Sequence, residues 1–90
     1  MDGDGSFGYL PGMEWSREID AAGLICPLPV LRARKALAGM PAGAVLRLVT
    51  TDPAAVIDVP HFCAEAGHEV VAEAADGPAH VWLIRRGVGG

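Results

Sequence analysis

The residues best placed to do chemistry are Cys26, Pro27, Leu28 and Pro29, inside the stretch Gly23-Leu24-Ile25-Cys26-Pro27-Leu28-Pro29-Val30-Leu31. Pro27 suits the first position of a helix, because its fixed φ is helical and the N–H it lacks has no partner there. Cys26 is then expected at the N-cap, where the unpaired N–H groups of the first turn meet the positive end of the helix dipole. That position stabilises a thiolate, so the expected pKa lies below the roughly 8.5 of a free cysteine. Pro29 removes another donor and leaves the N–H groups of Leu28 and Val30 nearest the sulfur. The two prolines also stiffen the turn. Such a sulfur is presented as a nucleophile. Position alone leaves a second reading open, since free cysteine often packs as a small buried hydrophobe and N-caps favour Ser, Thr, Asp and Asn.

The elements around this turn follow from periodicity. Residues 1–14 carry glycines at 3, 5, 8 and 12 and read as a flexible leader. Trp15 to Asp20 alternates and suits a first strand. From Pro27 to about Gly39, Val30, Ala33, Leu37 and Met40 recur at helical spacing, with Leu31 and Ala38 widening the apolar stripe. Arg32 and Lys35 fall on the far side, and Arg34 lies at the stripe's edge. Ala44 to Thr51 reads as a second strand. Asp52-Pro53 reads as a helix start; Pro60 is expected to break the segment, which restarts with Asp58 as cap. This helix carries Phe62, Cys63 and Ala66 and stops at Gly67. His68 to Ala75 and Ala79 to Arg86 read as two strands joined by the hairpin Asp76-Gly77-Pro78. The predicted fold is an α/β (α+β) two-layer sandwich in the order β-α-β-α-β-β, a mixed four-stranded sheet with two helices on one face. Residues 15–87 form its single domain and residues 88–90 a tail.

Composition narrows the function classes. Ninety residues that are 51% hydrophobic can fold as one small domain without disulfides. The first residues lack a signal-peptide pattern, and no apolar run approaches the roughly 20 residues of a membrane span. A net charge of −4 argues against direct nucleic-acid binding. A reducing cytoplasm is the expected location, and a lone thiol stays free there.

Other candidates are weaker. Cys63 sits late in its helix with nothing to activate it and is expected to be buried. His61, His68 and His80 are scattered, without ligand spacing, so neither metal nor cofactor is expected. Asp52 and Asp58 read as helix caps rather than a catalytic carboxylate pair. Arg32, Arg34 and Lys35 read equally as a solvated face or as a docking patch for an acidic partner.

Cys-Pro-Leu-Pro, preceded by Ile19-Asp20-Ala21-Ala22-Gly23-Leu24, resembles the Cys-Pro-x-Pro signature of the TusA/SirA family of small sulfur carriers. Asp52-Pro53-Ala54, Asp58-Val59-Pro60-His61-Phe62-Cys63 and Ile84-Arg85-Arg86-Gly87 match that family's pattern in the same order, from about Ile19 to Gly87. The resemblance implies a carrier that takes sulfane sulfur on Cys26 as a persulfide and hands it to a partner, a sulfurtransferase-type role without independent turnover. Pro27 and Pro29 would hold the turn, Leu28 and Val30 would supply backbone donors, and Arg32 and Lys35 would form the docking face. The implied partners are a donor, either a cysteine desulfurase or a rhodanese-like protein, and an acceptor protein. Members that serve tRNA thiolation carry an acidic residue where this chain has Leu28. That departure leaves sulfur-oxidation relays, cofactor sulfuration and selenium handling open. The alternatives are a thiol redox or sensor protein using Cys26, and a non-catalytic interaction module. A terminal Gly89-Gly90 thiocarboxylate, as in ubiquitin-like carriers, ranks well below the cysteine route.

Overall fold

The computed structural model describes residues 14–88. The expected leader, apart from Glu14, and the Gly89-Gly90 pair lie outside the described residues. The elements are β1 (Arg17–Ala21), α1 (Leu28–Ala38), β2 (Val45–Thr50), α2 (Ala55–Ala66), β3 (Glu69–Asp76) and β4 (Ala79–Arg85). The sheet order is β1-β2-β4-β3, with β1 parallel to β2 and the other pairs antiparallel. This is the mixed sheet that the β-α-β-α-β-β order predicts.

Both helices cover the same face. Ala33, Ala36 and Leu37 of α1 and Ala55, Val59, Phe62 and Cys63 of α2 share one core with Ala21, Leu46, Leu48, Trp82 and Ile84 of the sheet. Trp82 is wholly buried, and its indole N–H donates to the Thr50 hydroxyl at 3.0 Å. Val81 and Leu83 point to the other face, where Leu83 pairs with Arg47 across the strands. Arg47 is itself buried, lies over the Trp15 ring and donates to Glu18 at 2.8 Å.

Two expectations about the helices need correction. The stripe of α1 is narrower than its sequence implies, for Leu31 and Ala38 are both exposed. Pro60 does not break α2, which runs unbroken from Ala55 to Ala66. Its buried residues Ala55, Val59, Phe62 and Cys63 recur along one face across the proline, and that packing outweighs the lost backbone bond. Pro60 lies on the exposed side, where water can pair with the carbonyl left over. Asp58 is therefore a residue of the first turn of α2 and not a cap.

The ends of the helices are closed from β4. Arg86 Nε donates to the Leu37 carbonyl at 2.8 Å, completing the C-terminus of α1. Gly87 N–H donates to His68 Nδ1 at 3.0 Å, which requires the neutral ring. Burial, and then the Arg86 charge, lower the His68 pKa from 6.5. A histidine whose folded pKa is depressed contributes stability above its unfolded pKa and loses it as pH falls through the folded value. The melting temperature is therefore expected to fall on acidification below about pH 6.5, and His68→Asn to flatten that part of the curve. An unchanged pH dependence in the variant would refute the assignment.

Candidate functional site

The parallel pairing of β1 with β2 sets Ala21 beside Thr50, so both strands end at one edge of the sheet. Each is followed by a helix, and the N-termini of α1 and α2 consequently meet outside the carboxyl ends of the two strands. Open α/β sheets carry their sites at such an edge. The loop before α1 is tied down there by its neighbours. Gly23 turns at φ 84°, and its N–H donates to Thr51 Oγ1 at 2.9 Å. Cys26 N–H donates to Asp52 Oδ2 at 2.6 Å. Asp52 Oδ1 accepts the Ala54 N–H at 3.2 Å, so one carboxylate braces both the start of α2 and the loop of Cys26.

Cys26 is exposed. The Cys26–Pro27 peptide bond is cis, and Pro27 is the N-cap of α1. The helix thus begins one residue later than expected, and Cys26 stands just outside it. Pro29 is fully buried, so it anchors the first turn in the core while Pro27 stays exposed above it. Leu28 N–H is already taken by the Ile25 carbonyl at 2.9 Å. Of the two expected donors only Val30 N–H is left without a backbone acceptor among the described residues.

The electrostatics of the sulfur overturn the expectation of a depressed pKa. Cys26 Sγ donates to Asp58 Oδ2 at 2.6 Å. This hydrogen bond raises the thiol pKa above its ordinary 9.0, with smaller contributions in the same direction from desolvation and from the Asp58 and Asp52 charges. Two full negative charges outweigh the partial positive charge of a helix end. Read along the chain, Asp52 and Asp58 are caps; folded, they are the closest polar neighbours of Cys26. The signal that reveals them is topological. In a parallel β-α-β unit, an acid in the first turn of the second helix lies at the same edge as the turn before the first.

The crevice formed by Cys26, Pro27, Pro29, Val30, Asp52 and Asp58 has essentially no room for a bound molecule. A wider open groove runs from Cys26 between the helices past Arg34, His61 and Glu65. Arg34 lines it, resting over the Phe62 ring; Arg32 and Lys35 are exposed outside it. Ile25 and Leu28, on either side of Cys26 and Pro27 in the chain, and Ile57, next to Asp58 in α2, are exposed, Ile25 by 70% and Ile57 by 75%. Cys63 is buried on the core face of α2, and burial alone pushes its pKa up to about 11. Among the described residues no group of three or more His, Cys, Asp and Glu is placed to hold a metal, and no helix is long and apolar enough to cross a membrane.

Residues 17–86 match the family model described as "Sulfurtransferase TusA". The chain is 42% identical over 69 residues to a protein of Pseudomonas syringae named "Sulfur carrier protein TusA", covering 77% of this chain and 82% of that one. A protein of the same name from Allochromatium vinosum is 40% identical over 73 residues, covering 81% and 96%. The crystal structure of a SirA-like protein from Desulfitobacterium hafniense superposes with a TM-score of 0.71 at 28% identity, over 80% of this chain and 99% of that chain.

Proposed function

The chain belongs to the TusA family, and on that premise we propose that it is a sulfur carrier whose cargo rides on Cys26 as a persulfide. The observation that carries the assignment to Cys26 is its presentation. The sulfur is exposed at the tip of a turn anchored by Pro29 and Asp52, beside a crevice too small for a substrate. A sulfur so placed suits exchange with another protein. In loading, the Cys26 sulfur forms a bond to the outer sulfur of a donor persulfide, the donor's S–S bond breaks, and the donor's thiolate leaves and takes up the proton that Cys26 gives up. Handover is the same displacement in the other direction, with an acceptor thiolate attacking. Neither step changes the total oxidation state. The Val30 N–H, without a backbone acceptor among the described residues, is the backbone group available to the persulfide anion.

The donor is of the desulfurase or rhodanese-like class, the acceptor is a second protein, and the exchange belongs in the reducing cytoplasm. Leu28, where members that serve tRNA thiolation carry an acidic residue, weakens the assignment to that pathway and leaves the other sulfur relays open. Arg32 and Lys35 serve as the docking charges.

Incubation with a cysteine desulfurase and cysteine is expected to add one sulfur atom, removable by a thiol reductant and mapped by peptide mass to Cys26. Cys26→Ser abolishes the gain, while Cys63→Ser and removal of Gly89-Gly90 leave it intact. Reversing the charges of Arg32 and Lys35 slows loading in a salt-sensitive way but leaves alkylation of Cys26 unchanged. Sulfur recovered on Gly90, or a chain that never loads, defeats the reading.

A further inference from the structure

The thiol–carboxylate contact poses a problem for a nucleophile. Sulfur exchange needs the thiolate, yet a carboxylate oxygen stands 2.6 Å from Sγ. Two anions cannot share that distance without a proton between them. The other charged groups around the sulfur do not relieve this. Asp52 adds a second carboxylate from the β2–α2 loop. On α2, His61 is 3.4 Å from Glu65; on α1, Arg34 lies over Phe62. The residues from Ala22 to Pro27 carry no charged side chain. Neither Asp52 nor Asp58 has an ion-pair partner among the described residues.

We propose that Asp58 is the positioning residue that decides when Cys26 reacts: it holds the resting sulfur as a protonated thiol, aimed along α2, and releases it to a partner that brings a cationic group with its sulfur. The inference rests on the carrier reading, since it concerns the same sulfur. A cation placed between Asp58 and Asp52 neutralises the charge that disfavours the thiolate and leaves Sγ free to turn toward the incoming sulfur. The proton passes through the Asp58 carboxylate to the donor's leaving thiolate, so none is gained or lost. The exposed Ile25 and Leu28, which flank Cys26 and Pro27 in the chain, and Ile57, next to Asp58, offer apolar surface against which such a partner loop packs. Until a cation arrives, stray anionic electrophiles and oxidants meet a poorly nucleophilic sulfur behind two negative charges.

Small probes test this without a protein partner. Reaction of Cys26 with a cationic aminoethyl methanethiosulfonate is expected to be at least about tenfold faster than with the anionic sulfonatoethyl reagent, after division by the same ratio for a neutral small thiol. Asp58→Asn should reduce that ratio at least about threefold, lower the pH midpoint for iodoacetamide, and raise the rate at pH 7. Asp58→Glu should restore the cationic preference, and Asp76→Asn, in the hairpin at the end of β3, should leave it unchanged. If Asp58→Asn fails to fold, salt decides: 0.5 M salt must collapse the wild-type ratio toward one. A wild-type ratio near one at low salt, or an Asp58→Asn variant with wild-type midpoint and ratio, overturns the proposal. Failure of sulfur loading would instead strike the carrier reading, and the probe ratios would still decide the role of Asp58.

Discussion

In the native protein iodoacetamide is expected to modify Cys26 at least about a hundredfold faster than Cys63. Cys26 is exposed at the head of α1, and the reagent reaches it without any movement of the fold. Cys63 is only 2% exposed, within the core that α2 makes with the sheet. Its modification needs a local opening, and even one costing about 3 kcal/mol holds the rate down more than a hundredfold. Its thiol, pushed up to about 11 by burial, adds a further penalty at neutral pH. The raised pKa of Cys26 works against the difference, because it lowers the thiolate fraction there too. Access nevertheless dominates, since burial limits Cys63 in both its protonation states. Peptide mapping during a timed native reaction, followed by the same reaction in denaturant, reads the ratio directly. Comparable native rates at the two sites would show that the core over α2 is open, and would remove the basis for placing the cargo on Cys26 alone.

Gly87→Ala is expected to lower the melting temperature by roughly 10 °C or more. A Cβ at position 87 would stand 1.7 Å from the Gly67 carbonyl oxygen and 2.7 Å from its carbon. Both are backbone atoms, so no rotamer relieves the clash. Gly67 is itself fixed as the left-handed C-cap of α2, with φ 82° and its N–H on the Cys63 carbonyl. Moving either chain breaks Gly87 N–H to His68 and disturbs the Arg86 bond to the Gly87 carbonyl at 2.6 Å. A cost on the order of 2–3 kcal/mol suits backbone displacement coupled to lost, partly buried hydrogen bonds. For a domain of this size each kcal/mol is worth about 4–8 °C. Val88→Ala is the control, because Val88 is 92% exposed and should change nothing measurable. A Gly87→Ala protein melting within about 2 °C of wild type would mean that the approach of β4 to α2 is looser than the structure has it. Cys26 lies at the opposite edge of the sheet, so the folded fraction of the variant should still alkylate there at the wild-type rate.

The same two regions divide what could be read along the chain from what could not. Hydrophobic periodicity is local, and it placed Ala33, Leu37 and Met40 in the core and the four strands within a residue or two of their bounds. The match of Ile84-Arg85-Arg86-Gly87 to a family pattern was visible too, without its cause. Only the fold shows that Arg86 closes α1 and that Gly87 is pressed against Gly67. Leu31 escaped because a helical stripe is defined by what faces it, and none of the described residues covers that side of α1. Pro60 misled because its cost to a helix is a local quantity, whereas the packing of Val59, Phe62 and Cys63 is not.

At the sulfur the division is sharpest. That a cysteine is presented at the head of a helix follows from Cys26, Pro27 and Pro29 and their order. The sign of its pKa shift does not. The helix end is encoded by adjacent residues, but the carboxylates come from 26 and 32 positions away. They arrive because β1 and β2 pair in parallel, with Ala21 against Thr50. A full charge at hydrogen-bond distance outweighs the partial charge of a helix terminus, so the tertiary structure, by bringing Asp58 to the sulfur, decided that the thiol pKa is raised rather than lowered.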